Sequence, residues 1–396
     1  MGHYNFDTVI NRRGTNAIKH DIFDDEAVIP LWVADMDFPA PDAVIQALKS
    51  RLEHPIFGYS FAIPKLREIL QERLARLYNW HVELDDIVLM PGVMASLNHV
   101  LRVFGQPDGD VLMTTPVYPP FLMAPAQNGM RPNIVPLIAT ETDGILHYTI
   151  DFEAFEAAIH AGTKVFLMCN PHNPVGRMWS KEELARVGDI CTRHGVLICS
   201  DDIHADLVFQ DHIPIASVSP EIAQNTITLM APSKTFNIPS LGFSFMVVQN
   251  PELREKFVSA AHFVIPEPNL LGVVGAHAAY TGGDEWLKEV LRYLKANRDL
   301  VTDYIRENMP QIKLTHPEGT YLSWLDCREA IHNVPPAGKG FLGGLEPFFL
   351  HHSQVALNDG KQFGEAGVGF ARLNFGIARS QLLEALERMA SVIEKA

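Results

Sequence analysis

Short, continuously apolar runs alternate with amphipathic stretches through the middle of the chain. The runs are Val111–Thr115, Ile134–Ile138, Lys164–Cys169, Val196–Ser200, Thr226–Met230 and Phe243–Val248. Apolar runs without polar alternation suit strands buried on both faces of a mostly parallel sheet. Between two of them, Ser180–His194 has helical spacing. It opens on Ser180 and Glu183, an S-x-x-E pair whose side chains can satisfy the free N–H groups at a helix start. Strands alternating with helices predict an α/β domain.

The two ends read differently. Residues 1–40 are irregular and rich in Asp and Pro, and Trp286–Asn308 is a long helical pattern stopped by Met309-Pro310. A strand is expected at Gly319–Leu325, a Gly-rich loop at Gly338–Gly344, a strand at Phe370–Asn374 and a helix from Gln381 to Glu394. The expected organisation is an N-terminal segment, 1–40, packed with the small domain; a large domain, 41–284; and a small α+β domain, 285–396. No repeat of 20–50 residues and no low-complexity linker interrupts this plan.

Composition narrows the function. The 396 residues are 47% apolar and 20% charged, enough for a packed core. With 32 Lys and Arg against 47 Asp and Glu, the net charge of −15 argues against nucleic acid or an anionic membrane as main partner. The 4 cysteines form no C-x-x-C pair and suit a reducing compartment. Met1–Phe6 has no apolar core of a signal peptide, and no apolar run is long enough to span a membrane, so a cytoplasmic protein is expected. The 17 histidines include no H-E-x-x-H, so no metal site is expected. G-x-S-x-G, the Walker loop and the dinucleotide-binding glycine motif are absent too.

In open α/β sheets, ligands bind beyond the carboxyl ends of the strands. After Val111–Thr115 comes Pro116-Val-Tyr-Pro-Pro120, with Tyr118 on a stiff loop. After Lys164–Cys169 the turn Asn170-Pro-His-Asn-Pro-Val-Gly176 can aim Asn173. Val196–Ser200 leads to Asp201, and Thr226–Met230 to Ala231-Pro-Ser-Lys234. An aromatic ring, an amide, a carboxylate and a lysine thus fall at one sheet edge. A lysine amine can condense with an aldehyde, and pyridoxal 5′-phosphate is the aldehyde that uses the other three. Asp201 would keep the pyridine nitrogen protonated, Asn173 would donate to the phenolic oxygen, and Tyr118 would stack on the ring. Met90–Leu97 runs from a strand end into a helix, so the amides of Val93 and Met94 can meet a phosphate.

The chain resembles the fold type I pyridoxal-phosphate enzymes, and among them the carbon–sulfur β-lyases that look like class I/II aminotransferases. The likeness runs nearly end to end. It rests on Trp32-Val-Ala-Asp-Met-Asp-Phe38, Phe57-Gly-Tyr59, Asn170–Gly176, Ser200-Asp-Asp-Ile-His-Ala-Asp206, Ala231-Pro-Ser-Lys-Thr-Phe-Asn237 and Gly369-Phe-Ala-Arg-Leu-Asn374. The asparagine-proline-glycine turn and the Ser-Lys segment specify only the superfamily. The first stretch and the D-x-x-H segment are narrower and favour the lyases.

The resemblance implies a mostly parallel sheet flanked by helices, with a smaller α+β domain. It implies a homodimer with shared active sites, in which Tyr59 reaches the neighbour's phosphate. It gives Arg372 the substrate carboxylate, which guanidinium can grip with two parallel bonds. His204 stands near the phenolic oxygen, where aminotransferases usually carry tyrosine, and Ser233 joins the phosphate contacts. The implied reaction is α,β-elimination on a sulfur amino acid such as cystathionine or cysteine, giving pyruvate, ammonia and a thiol. Lys234 is the base, and Lys234 or Tyr118 protonates the sulfur. The alternatives are an aminotransferase, identical up to loss of the Cα proton, and a regulatory protein acting through protein contacts.

Three positions depart from the family's pattern. Asp202 replaces a common glutamate. Gly242 stands eight residues after Lys234, where many aminotransferases carry a phosphate-binding arginine, and Ala231 stands where a serine is common.

Overall fold

The computed structural model describes residues 4–61, 63, 65–331 and 343–393. The central sheet has seven strands, in the order Ile87–Met90, Ser244–Val247, Thr226–Met230, Leu197–Asp201, Thr163–Cys169, Asp110–Thr115 and Arg131–Pro136. Ser244–Val247 runs antiparallel to both neighbours, and the remaining strands pair parallel. Thr226–Met230 and Leu197–Asp201 are buried at every residue. That burial is why these segments read as unbroken apolar runs.

Alternate residues feed two layers, as the two-residue period of a strand requires. Val111, Met113, Val165 and Leu167 pack with Leu97 and Val100 of the helix Val93–Phe104. Leu112, Phe166 and Met168 pack on the other side with Leu184, Val187 and Ile190 of the helix Lys181–Arg193. The latter helix carries the expected reciprocal cap between Ser180 and Glu183.

The run Ile134–Ile138 divides where one strand was expected. Arg131–Pro136 is the edge of the central sheet, a position that tolerates proline because one side of the strand needs no partner. Beyond Leu137 the chain leaves that sheet, and Ile138–Thr142 pairs with Ile145–Thr149 as a hairpin. The hairpin extends a second, six-stranded sheet containing Asn358–Asp359, Phe370–Asn374, Leu322–Asp326 and Lys313–Thr315. Residues within the 41–284 span therefore supply two strands of the second sheet. The strand expected from Gly319 begins only at Leu322, because Thr320 sits in a left-handed turn with φ +70. The expected Gly-rich loop lies, up to residue 342, outside the described residues.

Near the N-terminus, Ile29–Pro30 pairs with Val355–Ala356, and Leu31 accepts from the Asn374 amide at 2.9 Å. A charged cluster anchors this segment. Lys19, fully buried, lies 3.0 Å from Asp37 and 3.6 Å from Asp35, while Arg12 reaches the same two carboxylates at 2.5 and 2.7 Å. The strap Trp32–Asp35 is thereby held across Phe370–Asn374, where the Asn374 side chain donates to the carbonyls of Val33 and Asp35. Among the described residues, no helix is long and apolar enough to cross a membrane.

Candidate active site

Four parallel strands deliver their carboxyl ends to one cavity of about 500 Å³. Its walls include Val93, Met94, Tyr118, Asn173, Asp201, His204, Ser233, Lys234 and Arg372. Nine of the ten residues singled out in the sequence thus meet around one space. The tenth, Tyr59, does not line it and is fully exposed on the chain's surface.

Lys234 sits in the short helix Pro232–Thr235, directly after the strand Thr226–Met230. Its Nζ donates to the carbonyl of Ala34 at 2.7 Å. Enclosure away from water pushes the amine down to about 8, with Asp35 opposing and Arg372 reinforcing the shift. Asp201 ends the strand Leu197–Asp201, and its Oδ1 accepts from the Ile203 amide at 3.1 Å. Burial raises this carboxyl to about 7, with the Ile203 N–H opposing and the Asp202 charge adding to the rise. A cation placed against Asp201 would restore its ionised form.

Arg372, in the strand Phe370–Asn374, is buried and surrounded by neutral partners. Its Nη1 donates to Asn173 Oδ1 at 3.0 Å; Nη2 donates to the Trp32 carbonyl at 2.8 Å and to Asn358 Oδ1 at 2.5 Å. Nε is buried without a partner, and the guanidinium lies 5.0 Å from the centre of the Phe363 ring. Among the described residues, no carboxylate forms an ion pair with it. Burial brings it down to about 10. A buried guanidinium without a counter-ion is costly, and an anionic ligand would offset that cost.

His204 is buried, with Nδ1 unpartnered, and burial together with Lys234 and Arg372 drives its pKa well down. It is a neutral imidazole at the cavity wall. The helix Val93–Phe104 begins after Gly92 where Val93 and Met94 line the cavity, and its first amides have no helical acceptor of their own. Gly242 occupies a left-handed turn with φ +64, a conformation that glycine adopts without strain.

The sequence reading missed Asn358, Phe363 and the carbonyls of Trp32 and Ala34. The last two lie in a stretch quoted for its likeness, but a backbone carbonyl leaves no mark in the residue types.

A cavity with a depressed lysine, an acid lacking a cation and an arginine lacking an anion defines an amino-acid-handling enzyme of the pyridoxal-phosphate kind. The groups fit that cofactor carrying an amino acid: a ring nitrogen for Asp201, a carboxylate for Arg372 and a phosphate for the helix amides. The chain belongs to the family described as aminotransferase class I and II, whose sequence profile matches residues 26–389. It is 35% identical to cystathionine beta-lyase PatB of Bacillus subtilis (strain 168), over 98% of this chain and 100% of the relative. The crystal structure of cystalysin from Treponema denticola, which contains pyridoxal 5′-phosphate, superposes with a TM-score of 0.90 at 32% identity, covering 99% of both chains. A pyridoxal-phosphate-bound candidate aminotransferase from Clostridium difficile 630 gives a TM-score of 0.91 at 36% identity, covering 98% of this chain and 100% of that one.

Proposed function

We propose that this protein is a pyridoxal-phosphate-dependent carbon–sulfur β-lyase acting on a sulfur amino acid such as cystathionine or cysteine. The observation that carries the reading is the buried Arg372, without a carboxylate partner among the described residues, lining the same cavity as Lys234 and Asp201. Full-length likeness to a cystathionine beta-lyase supports the choice of elimination over transamination. When bound, the cofactor supplies an aldehyde that condenses with the substrate amine and a ring that accepts electrons from Cα.

The chain's residues then have separate tasks. Arg372 grips the α-carboxylate and sets the orientation of the bonds at Cα. Lys234 Nζ, already shifted toward its neutral form, takes the Cα proton. Asp201, ionised beside a positive ring nitrogen, holds the proton there and favours the negative charge that moves off Cα. The Asn173 amide nitrogen is free for the phenolic oxygen, because its Oδ1 already serves Arg372. Loss of the β-thiolate, protonated by Lys234 or Tyr118, leaves a three-carbon fragment that hydrolyses to pyruvate and ammonia.

The exposed ring of Tyr59, beside an equally exposed Phe61, supports a homodimer in which Tyr59 reaches the phosphate end of the neighbour's cavity. Four free, buried cysteines support a cytoplasmic setting. The deciding experiment incubates the loaded enzyme with L-cystathionine or L-cysteine and no keto acid. Pyruvate and ammonia in equal amounts are expected; product only after a keto acid is added would make the protein an aminotransferase.

A further inference from the structure

The turn Asn170–Gly176 serves the cavity through two adjacent residues. Asn173 faces Arg372, as described. His172, almost wholly buried, has its Nε2 2.8 Å from the carbonyl of Pro116. A carbonyl can only accept, so Nε2 carries the proton and the ring is the donor. Burial holds the imidazole down to about 4, which keeps it neutral at ordinary pH.

The donor is rigidly mounted. The His172 backbone N–H donates to the Arg177 carbonyl at 2.8 Å, and its ring meets Trp179 edge-on with centroids 5.5 Å apart. Pro116 stands two residues before Tyr118, and the intervening Val117 N–H donates to the Phe363 carbonyl at 3.0 Å. The loop is also tied by the Phe121 N–H, which donates to the Tyr118 carbonyl at 2.9 Å, and by the Leu137 N–H, which donates to the Thr115 carbonyl at 2.8 Å. The His172 bond is the one that holds Pro116, and Phe363 is the residue whose ring lies beneath Arg372.

We infer that His172 is a positioning residue: its Nε2–H fixes the Pro116–Tyr118 loop and thereby the Tyr118 ring at the cavity wall. The inference rests on the reading that Tyr118 stacks on the cofactor. Removing the donor leaves the Pro116 carbonyl unpaired and frees the loop at the end before Val117, with the bonds at Phe363 and Phe121 remaining. The ring would then lose its fixed orientation while Lys234, Asp201 and Arg372 keep their places.

The test uses the full-length protein with His172→Met, His172→Gln and Tyr118→Ala, alone and combined. Glutamine places an N–H where the imidazole Nε2 stood; methionine fills the volume without a donor. For His172→Met, pyridoxal-phosphate affinity should fall about 10-fold, the loss expected for one buried hydrogen bond. The visible circular dichroism of the bound cofactor should weaken with it. His172→Gln should keep both within about twofold of wild type, and His172→Met should add little on top of Tyr118→Ala, as coupled residues do. A folded His172→Met protein with wild-type affinity and dichroism overturns the inference, as do effects that multiply in the double variant. Should His172→Met fail to fold, His172→Asn, whose amide stops short of the carbonyl, is read in its place. If Tyr118→Ala alone changes neither signal, the stacking reading falls and this inference with it. If Tyr118→Ala changes both and the His172 variants change neither, only the role of His172 is refuted.

Discussion

Lys234 and Ala34 lie 200 positions apart, yet the lysine amine donates to the alanine carbonyl at 2.7 Å. Tyr321 donates its hydroxyl to the same carbonyl at 2.8 Å. Two residues earlier, the Trp32 carbonyl accepts from Arg372. One irregular strap, anchored by Lys19 and Arg12, thus orients both Lys234 and Arg372. Its acceptors are neutral, so they aim the lysine without the stabilisation of charge that a carboxylate partner would bring.

That difference can be measured on protein freed of cofactor. Only the neutral amine attacks an aldehyde, so recombination with pyridoxal phosphate should accelerate about tenfold per pH unit below pH 8 and level off above it. Between pH 8 and the ordinary lysine value of 10.5 the unfolded chain binds the extra proton, so stability from this group rises with pH across that window. A recombination profile centred near 10.5 would show that the cavity leaves Lys234 unperturbed.

Arg372→Lys tests the substrate-carboxylate assignment. Lysine keeps the charge but not the two-pronged geometry, and it abandons Asn173 and Asn358 as partners. We expect kcat/KM to drop roughly 100-fold, with most of the loss in KM, as for a charge-assisted pair weakened in both ground and transition states. Steady-state kinetics with cysteine decide it. A change confined to kcat would move Arg372 from substrate binding to the chemical step.

The strands carrying these residues were legible because burial on both faces leaves no polar position to blur the run. Asp201, Asn173 and Lys234 were legible because each follows such a run at the edge where ligands bind. Other features leave weaker traces. The reversal of Ser244–Val247 changes direction without changing residue type. The break at Leu137 is a change of sheet, and its only warning was Pro136. His172 reads as a turn residue until the fold brings Pro116 against it, and Tyr59 does not line the Lys234 cavity of its own chain.

Lys19 makes a prediction about stability. Asp37→Asn removes its nearer partner and leaves a fully buried ammonium facing Asp35 at 3.6 Å. Breaking such a pair should cost about 3 kcal/mol in chemical unfolding. Burial raises the Asp37 carboxyl, but Lys19, His20 and Arg12 outweigh it and hold the group well below its ordinary 3.8. Its contribution is therefore present in full above pH 3.8 and is lost as the pH falls toward the folded value. The Asn variant should show a flatter loss of stability in acid than the parent, and equal slopes would deny Asp37 this role.

Tyr59 bears on the assembly. In one chain its ring is fully exposed, as is that of Phe61, while Phe57 is tethered by the Arg51 guanidinium at 5.4 Å. Large aromatic rings in water are unfavourable unless something covers them. If Val93, Met94 and Ser233, which line the cavity with glycine at 242, take the cofactor phosphate, a donor from a second subunit has a place to act there. If Tyr59 acts across the interface, a Lys234→Ala protein and a Tyr59→Phe protein lack different halves of the same site. Subunit exchange between them then builds a mixed dimer with one intact site and one lacking both groups. Pyruvate formation should rise above that of either parent in step with the heterodimer fraction, followed by native mass spectrometry. If heterodimers form and the rate stays at the average of the parents, Tyr59 works within its own subunit or only packs, and the shared-site assembly is refuted.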